Sequence, residues 1–380
     1  MTKGATRGRE SNRAGAVLHV AFELDDQGWK LALGTRLGKQ PWLRRVSPRD
    51  REGILAVIEA AKARFRLGDN ARVVSCYEAG REGFWLHRWL KAEGVENRVV
   101  DSSSIEVDRR ARRAKTDRLD AKKLLRQLMR HEAGERKVWS VLRVPSEAAE
   151  DARHLHRELV AVKRDRVRVT NRIRGLLATQ GVKLELTRGF LDRLDGVERW
   201  DGSALPPGLR RRVERAWEQR RWLTERIRGL EGERRELLRT SDAEDVEKVR
   251  QLMELSGIGE NGAWTFVTEL FGWREFRNRR EVAAAVGLVP TPYDSGSTRR
   301  EQGISKAGNR TVRWMAVQIA WAWLRHQPDS ELSRWYNRRF GEGGRRMKKV
   351  GVVALARKLV IELWRYVETG ALPEGATLKA

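Results

Sequence analysis

The order of predicted strands and helices in the first 135 residues restricts the fold more than any other feature of the chain. Short apolar runs predict five strands, and apolar residues at helical spacing predict three helices. The strands are expected at residues 16–23, 29–34, 41–46, 72–77 and 97–100, and the helices at 48–66, 83–92 and 116–129. Turn residues between the first two strands indicate a hairpin. The order β-β-β-α-β-α-β-α therefore predicts a mixed α/β domain.

The order of these elements is that of an RNase H-like domain. Four carboxylates lie at the ends of its predicted strands or on one of its predicted helices. Glu23 and Glu78 end predicted strands, and Asp117 and Asp120 share one face of a predicted helix. Oxygen ligands at neighbouring strand ends suit magnesium, and two such ions stabilise both oxygens of an in-line displacement. Any one of these acids alone is more simply a solvated surface residue paired with a nearby base. The four together favour a metal site.

The charge balance of the whole chain indicates a polyanionic partner. Lys and Arg number 78 against 52 acidic residues, which gives a formal net charge of +26. The excess is spread along the chain, as in an extended nucleic-acid surface, although it also fits a merely soluble basic protein. An acidic cluster inside such a chain repels a polyanion unless a metal ion lies between them. The two features together predict an enzyme that acts on DNA or RNA.

Composition also limits the cellular compartment in which the protein is expected. The single cysteine, Cys76, excludes an intrachain disulfide framework and a Cys-based zinc site, and we expect it to be a small core residue. No segment has the roughly 18 apolar residues of a membrane span, and no secretory signal is recognisable. Residues 1–15 are expected to form a flexible basic arm. These observations predict a cytoplasmic protein.

Heptad patterns dominate residues 146–247. Apolar residues alternate three and four apart over 155–176 and again over 213–237, with Pro206 and Pro207 between the two stretches. The pattern predicts an antiparallel helical hairpin of coiled-coil type. Two ordinary amphipathic helices in a bundle fit the periodicity equally well. Beyond residue 249 the pattern is helical and rich in tryptophan, which we expect to lie mainly in the core.

Two further segments contain residues suited to phosphate. The turn Gly257-Ile258-Gly259 between apolar helices predicts a helix-hairpin-helix whose backbone N–H groups contact phosphate. Residues 293–310, rich in Ser, Gly and Arg, are expected to form a loop between helices. This segment contains no His, so a serine-hydrolase triad is unsupported, and a reactive serine there would need cations or a metal. A loop that only grips phosphate is the alternative.

Several short motifs, spread over nearly the whole chain, carry a resemblance to a known family. They are Tyr77-Glu78-Ala79-Gly80, Lys115-Thr116-Asp117-Arg118-Leu119-Asp120-Ala121, Gly257-Ile258-Gly259, Gly287-Leu288-Val289-Pro290, Ser295-Gly296, and Gly303-Ile304-Ser305-Lys306-Ala307-Gly308-Asn309. In these motifs the chain resembles the DEDD transposases of insertion sequences that include the Piv-type DNA invertases, understood as bridge-RNA-guided serine recombinases. The resemblance implies a RuvC-like domain at 16–135, a coiled coil at 146–247, and a mainly helical transposase domain with the helix-hairpin-helix at 248–372.

The resemblance also implies roles for particular residues. Glu78, Asp117 and Asp120 would bind Mg²⁺, and Ser295 would be the nucleophile, with Ser297 a weaker alternative and Ser305 structural or phosphate-contacting. The chain departs from the family at the first acid, where Glu23 stands in place of the usual Asp, and Asp25 or Asp26 are the alternative ligands. The residues predicted to contact nucleic acid are Gly257, Gly259, Arg299, Arg300, Lys306, Asn309, Arg310 and Arg313.

The function implied is that of a transposase or site-specific recombinase that cleaves and rejoins DNA through a phosphoserine intermediate. Its partners would be donor and target duplexes, a non-coding guide RNA, and further copies of the chain, as a dimer that pairs into a tetramer. Since serine and carboxylates fall in different predicted domains, the active site is expected to be composite. Two alternatives stay open: a RuvC-like metal-dependent nuclease that uses water, and a non-catalytic nucleic-acid-binding relative.

Overall fold

The fold is described from a computed structural model, which covers residues 16–105, 117–135, 138–295 and 298–379. For residues 103, 117, 118, 292–295 and 298–302 the description extends to the backbone alone. The predicted basic arm at 1–15 lies outside the described residues. The chain divides into two compact units, Met1–Val144 and Pro145–Ala380.

The first unit is built on one five-stranded sheet with the strand order β3-β2-β1-β4-β5. Its strands are β1 (Leu18–Glu23), β2 (Trp29–Gly34), β3 (Trp42–Val46), β4 (Val73–Glu78) and β5 (Glu96–Val100), and its helices are α1 (Arg51–Phe65), α2 (Trp85–Ala92) and α3 (Asp117–Glu132). The first three strands are antiparallel, whereas β4 and β5 run parallel to β1. The predicted element order and the first hairpin are confirmed, and the mixed α/β architecture is consistent with a DEDD RuvC-like fold.

The two faces of this sheet differ in the size of their side chains. Leu18, Val20 and Phe22 of β1 point into a cluster that includes residues of α1 and α2. Ala21 and Cys76 point to the opposite face, where they meet α3. Small residues on that face let the helix approach closely, because side chains alternate along a strand and the helix packs on their ends. The prediction that Cys76 is a buried core residue is confirmed.

The second unit is mostly helical. Its helices are α4 (Glu147–Asp151), α5 (His154–Ala178), α6 (Phe190–Asp195), α7 (Pro207–Thr240), α8 (Glu244–Glu254), α9 (Glu260–Phe266), a π-helical turn (Val267–Phe271), α10 (Arg279–Ala285), α11 (Arg310–His326), α12 (Glu331–Phe340) and α13 (Arg345–Thr369). The helices from α8 onward bury a single large cluster of apolar side chains. No helix in the part of the chain that the structure describes is long and apolar enough to cross a membrane.

The two heptad segments form the long helices α5 and α7, which pack against each other in opposite directions. Glu158, early in α5, pairs with Arg226, late in α7, at 2.6 Å. Thr170, further along α5, accepts a hydrogen bond from Arg220, earlier in α7, at 3.2 Å. The predicted antiparallel pair of helices is therefore present. Whether its side chains interlock as in a true coiled coil stays a prediction.

The segment expected to be a loop after α10 is instead a β-hairpin. It consists of β6 (Pro290–Ser295) and β7 (Thr298–Ile304), paired antiparallel. The expectation was wrong because the many Ser, Gly and Arg residues concealed a strand pattern. Thr291, Tyr293 and Ile304 have high strand propensity. Of the tryptophans expected mainly in the core, Trp264 and Trp323 are buried and Trp335 and Trp364 pack against the cluster, whereas Trp314 and Trp321 on α11 are exposed.

Candidate active site

Glu23 and Glu78 end neighbouring strands on the same face of the sheet. The register of β1 and β4 pairs the residues immediately before these two acids. Ala21 and Cys76, two positions earlier in each strand, lie beneath α3, so alternation directs both carboxylates to the α3 side. Burial and the charge of Glu78 raise the pKa of the Cys76 thiol, in agreement with this orientation. The strand ends thus bring together two acids separated by 55 positions in the chain.

Asp120 reaches the same edge because α3 runs antiparallel to β4. The carbonyl oxygen of Leu124 lies 4.0 Å from the Cys76 sulfur, in the middle of the strand. Glu132, at the far end of α3, pairs with Arg72, just before the start of β4, at 3.1 Å. From Leu124 back to Asp120 the helix rises about 6 Å, and two further strand residues beyond Cys76 advance about as far. Asp120 therefore lies level with the end of β4.

The two alternative acids lie in a different environment. Asp25 and Asp26 are exposed in the turn that follows β1. The Asp25 carboxylate accepts a hydrogen bond from the Gln27 N–H at 2.9 Å, and Asp26 forms an ion pair with Arg81. Both side chains have local roles in the β1–β2 turn. This arrangement favours Glu23 as the acid that faces α3.

The donor set at this edge consists of carboxylate oxygens, which suits magnesium. Glu23, Glu78 and Asp120 are all half-buried. Among the side chains that the structure describes, no three His, Cys, Asp or Glu are already grouped closely enough to hold a metal ion. The Asp117 side chain is not among those described, although its backbone begins α3. The chemistry of the donors fits the ion, and a site of four acids stays a prediction.

Ser295 lies near the tip of the β6–β7 hairpin. It is the last residue of β6, and its Cα pairs with that of Thr298. Arg299 and Arg300 follow on β7, where their backbones pair with the residues just before Ser295. Ser297 lies outside the described residues. The role of these residues in catalysis and phosphate binding stays a prediction.

The segment after the hairpin is held against the end of α10 by backbone hydrogen bonds. Ser305 N–H donates to the Val289 carbonyl at 2.9 Å, and Lys306 N–H donates to the Gly287 carbonyl at 3.1 Å. Asn309 N–H donates to the carbonyl of Ala285 at 2.8 Å. The motifs 287–290 and 303–309, which the sequence presents as separate, therefore form one structural unit.

Two glycines make this close approach possible. Gly287 has φ +67° and Gly308 has φ +86°, a region that favours glycine. A Cβ at Gly287 would collide with the carbonyl oxygen of Ala307, and one at Gly308 with that of Ala285. Both positions thus require glycine for packing as well as for backbone conformation.

Asn309 uses both ends of its amide within the protein. Its Oδ1 accepts hydrogen bonds from the N–H groups of Thr311 and Val312 at 2.9 and 3.1 Å, which caps α11. Its Nδ2 donates to Glu269 at 3.0 Å, and Glu269 also accepts two bonds from Arg157 at 2.6 and 2.9 Å. Burial opposes ionisation of Glu269, but the bonds from Arg157 and Asn309 lower the pKa of the carboxyl below its usual value.

Among the predicted phosphate-contacting residues of this region, Lys306 and Arg310 are exposed. The Arg313 guanidinium donates to the carbonyls of Val286 and Ala307 at 3.1 and 3.4 Å. Arg313 therefore helps to hold the 305–309 segment in place. Its proposed contact with nucleic acid stays a prediction, as it does for Lys306 and Arg310.

The Gly257–Gly259 turn joins α8 to α9. Gly257 has φ +88°, and a Cβ there would lie 3.2 Å from Cβ of His326 and 3.3 Å from the Ala322 carbonyl oxygen on α11. Lys379 donates to the Ile258 carbonyl at 2.7 Å. Gly257 is thus explained by packing, whereas Gly259 is exposed. Phosphate binding by this turn stays a prediction.

One polar network was not anticipated from the sequence. His156 on α5 is buried; its Nε2 lies 2.9 Å from Thr265 Oγ1, and its Nδ1 lies 3.2 Å from the Arg234 guanidinium. Arg234, also buried, pairs with Glu260 at 2.6 Å and donates to Asn261 at 3.0 Å. Arg234 occupies a heptad position that normally carries an apolar residue, and this irregularity was the available signal. The network connects α5, α7 and α9.

Family models match both units. A model for DEDD transposases of the IS110 type, described as a transposase, matches residues 31–180, a range that contains Glu78, Asp117 and Asp120 but not Glu23. A second model, described as the transposase IS116/IS110/IS902 family, matches residues 249–334, which include Ser295.

Curated relatives agree with these models over most of the chain. A putative transposase, y4rJ, of Sinorhizobium fredii is 41% identical over 375 residues, which is 95% of this chain and 94% of the relative. The chain belongs to the IS116/IS110/IS902 family of transposases. The transposase for insertion sequence element IS1328 of Yersinia enterocolitica is 30% identical over 57% of this chain and 63% of its own length. As a member of this transposase family, the protein is an enzyme that cleaves and joins DNA.

Proposed function

We propose that this transposase cleaves and rejoins DNA through a covalent phosphoserine link formed by Ser295, with Mg²⁺ held by Glu23, Glu78, Asp117 and Asp120. The proposal is supported best by the position of Glu23 and Glu78 at the ends of neighbouring strands, with Asp120 level with them on α3. Three carboxylates at one edge of a chain with net charge +26 oppose the binding of phosphate unless a cation separates them.

The proposed chemistry conserves phosphodiester bonds. The Ser295 Oγ forms a bond to the scissile phosphorus while the bond from phosphorus to one strand end breaks. The serine hydroxyl gives up its proton, and the departing strand oxygen takes one up. Joining is the reverse reaction with a different strand end, so no ATP is needed. Arg299 and Arg300 neutralise neighbouring phosphates in this scheme.

DEDD transposase domains typically use divalent metal ions, and the donor set at the sheet edge fits one. Magnesium held by these carboxylates supplies positive charge beside the scissile phosphate, which stabilises developing negative charge.

The proposal also includes a non-coding guide RNA and an assembly of two dimers that holds donor and target duplexes. The motif resemblance supports the guide, and the net charge is compatible with an RNA partner. Assembly is proposed because two duplexes must be held at once, and not from the heptads, since α5 and α7 pack against each other within the chain.

The test uses single alanine variants at three serines. The purified chain is incubated with DNA spanning the ends of its own element, RNA transcribed from the adjoining non-coding sequence, and Mg²⁺. Denaturing gels should show a protein–DNA adduct with wild type and with Ser305→Ala, a control at an exposed serine, but not with Ser295→Ala. Cleavage that survives Ser295→Ala without any adduct would instead support the water-using nuclease. If the adduct disappears only in Ser297→Ala, the nucleophile is Ser297 and not Ser295.

A further inference from the structure

The end of α12 and the start of α13 carry a dense group of cations outside every site described above. The basic patch consists of Arg338, Arg339, Arg345, Arg346, Lys348 and Lys349, all of them exposed. One acid, Glu342, lies in the same stretch of sequence. The patch begins beyond residue 334, where the second family match ends. Its role is therefore not covered by the motifs discussed so far.

Several helical arginines of this unit are neutralised by a nearby acid, whereas five of the six cations of the basic patch are not paired with any described acid. Arg210, Arg228, Arg239 and Arg365 each pair with a Glu three or four positions away on their own helix. Arg338 is also paired, with Glu331 at 2.6 Å. Among the residues that the structure describes, the other five cations of the basic patch form no ion pair.

The basic patch also contradicts the usual charge pattern of a helix. The first turn of α13 contains no acid and is strongly basic, although the positive end of the helix dipole disfavours cations there. Like charges such as Arg345 and Lys349, four positions apart, repel each other as well. By contrast, α8 begins with Glu244, Asp245 and Glu247, although α7 and α11 also lack an acid in the first turn. A ligand with several negative charges would relieve this repulsion.

The surface that carries the basic patch is firmly positioned. Gly351 packs against Phe340, so closely that a Cβ at Gly351 would lie 2.5 Å from the Phe340 ring. The Tyr336 hydroxyl lies 3.3 Å from the carbonyl oxygen of Lys348 and donates to it. These contacts fix α13 against α12, and they fix the cations relative to one another.

We propose that the basic patch binds the sugar–phosphate backbone of duplex DNA without regard to sequence. Its charge complements a polyanion, and unpaired surface cations are the usual means of sequence-independent contact. Within residues 338–350 the one aromatic residue, Phe340, is buried, so the patch offers no platform on which unpaired bases would stack. Duplex DNA is thus favoured over single strands. This inference depends on membership of the transposase family and not on the identity of the nucleophile.

The test compares two variants with the same change in net charge. In the patch variant, Arg345, Arg346, Lys348 and Lys349 are all replaced by Gln. In the control variant, four exposed arginines that each pair with a Glu are replaced by Gln, namely Arg226, Arg228 and Arg239 of α7 and Arg365 of α13. Binding to a fluorescent 30-base-pair duplex of arbitrary sequence is measured by anisotropy over a range of KCl concentrations, with single-stranded RNA as a second probe.

For the patch variant we expect the slope of log K against log salt to fall by about 0.9 for each phosphate that is no longer neutralised, or roughly 3 to 4 for four phosphates. The control variant should change the slope by less than about 1 on the same scale. Thermal unfolding should occur at the same temperature or higher in the patch variant, since repulsion is relieved. An unchanged slope, an equal change in the control, or weaker binding of RNA alone would overturn the proposal.

Discussion

The buried histidine of the α5–α7–α9 network should make the stability of the second unit depend on pH. Burial and the charge of Arg234 lower the pKa of His156 to about 4 from its usual 6.5. The imidazole is therefore neutral in the folded protein and accepts a hydrogen bond from Arg234 through Nδ1, while Nε2–H donates to Thr265. A proton on Nδ1 would break the first of these bonds and place two cations side by side.

The sign and size of the effect follow from linkage between protonation and folding. In the unfolded chain His156 binds a proton below about pH 6.5, whereas in the folded protein it binds one only below about pH 4. Stability therefore falls as the pH drops through this window, because the unfolded state binds more protons there. The full loss is about 3 kcal/mol, and about 2 kcal/mol of it falls between pH 7 and pH 5.

The assay compares wild type with His156→Gln, whose amide can accept from Arg234 and donate to Thr265 without titrating. His154→Gln is the matched control, since His154 lies on the same helix and is exposed. Urea unfolding at pH 7 and pH 5 is followed by pulsed hydrogen exchange of peptides from α5 and α9, which isolates this unit. Only His156→Gln should reduce the pH-dependent loss, by about 2 kcal/mol. Equal pH dependence in all three proteins would refute the reasoning.

Three further results are expected. Gly287→Ala should lower the unfolding free energy by more than about 3 kcal/mol, and Gly303→Ala by only about 1 kcal/mol. Both glycines have positive φ, but only Gly287 is crowded by neighbouring atoms. Equal losses in urea titrations would contradict this. Asn309→Ala should cost about 1 kcal/mol through loss of the α11 cap, and an unchanged urea midpoint would show that the cap contributes nothing. Glu78→Gln should weaken Mn²⁺ binding to the DNA-free protein by roughly tenfold or more, as seen by electron paramagnetic resonance. Asp26→Asn should leave it unchanged, and equal affinities in both variants would place the ion elsewhere.

Local patterns were sufficient to predict much of the first unit. The strand from Trp29 to Gly34 has the predicted bounds, and the other strands differ from prediction by one or two residues. Strand periodicity and turn residues are short-range signals, and one buried face fixes the register once strands pair. The meeting of Glu23 with Glu78 could be predicted because it follows from strand order alone.

The features that sequence reasoning missed all depend on contacts between distant residues. His156 and Arg234 lie 78 positions apart, and nothing local to either indicates the other. The pairing of the 287–290 and 303–309 motifs depends on the hairpin between them, whose strand propensity was concealed by polar residues. Asn309 resembled a phosphate ligand in the sequence, and only its contacts with Glu269 and α11 explain its structural role.

The fate of solvent oxygen during cleavage tests the central proposal most directly. Reactions with the element-end DNA are run in H₂¹⁸O, stopped early, and digested for mass spectrometry of peptides and nucleotides. A serine nucleophile predicts a nucleotide attached to the peptide that contains Ser295 and rejoined DNA without ¹⁸O. Incorporation of ¹⁸O into the newly formed phosphate ends in the first cleavage step, with no modified peptide, would contradict it.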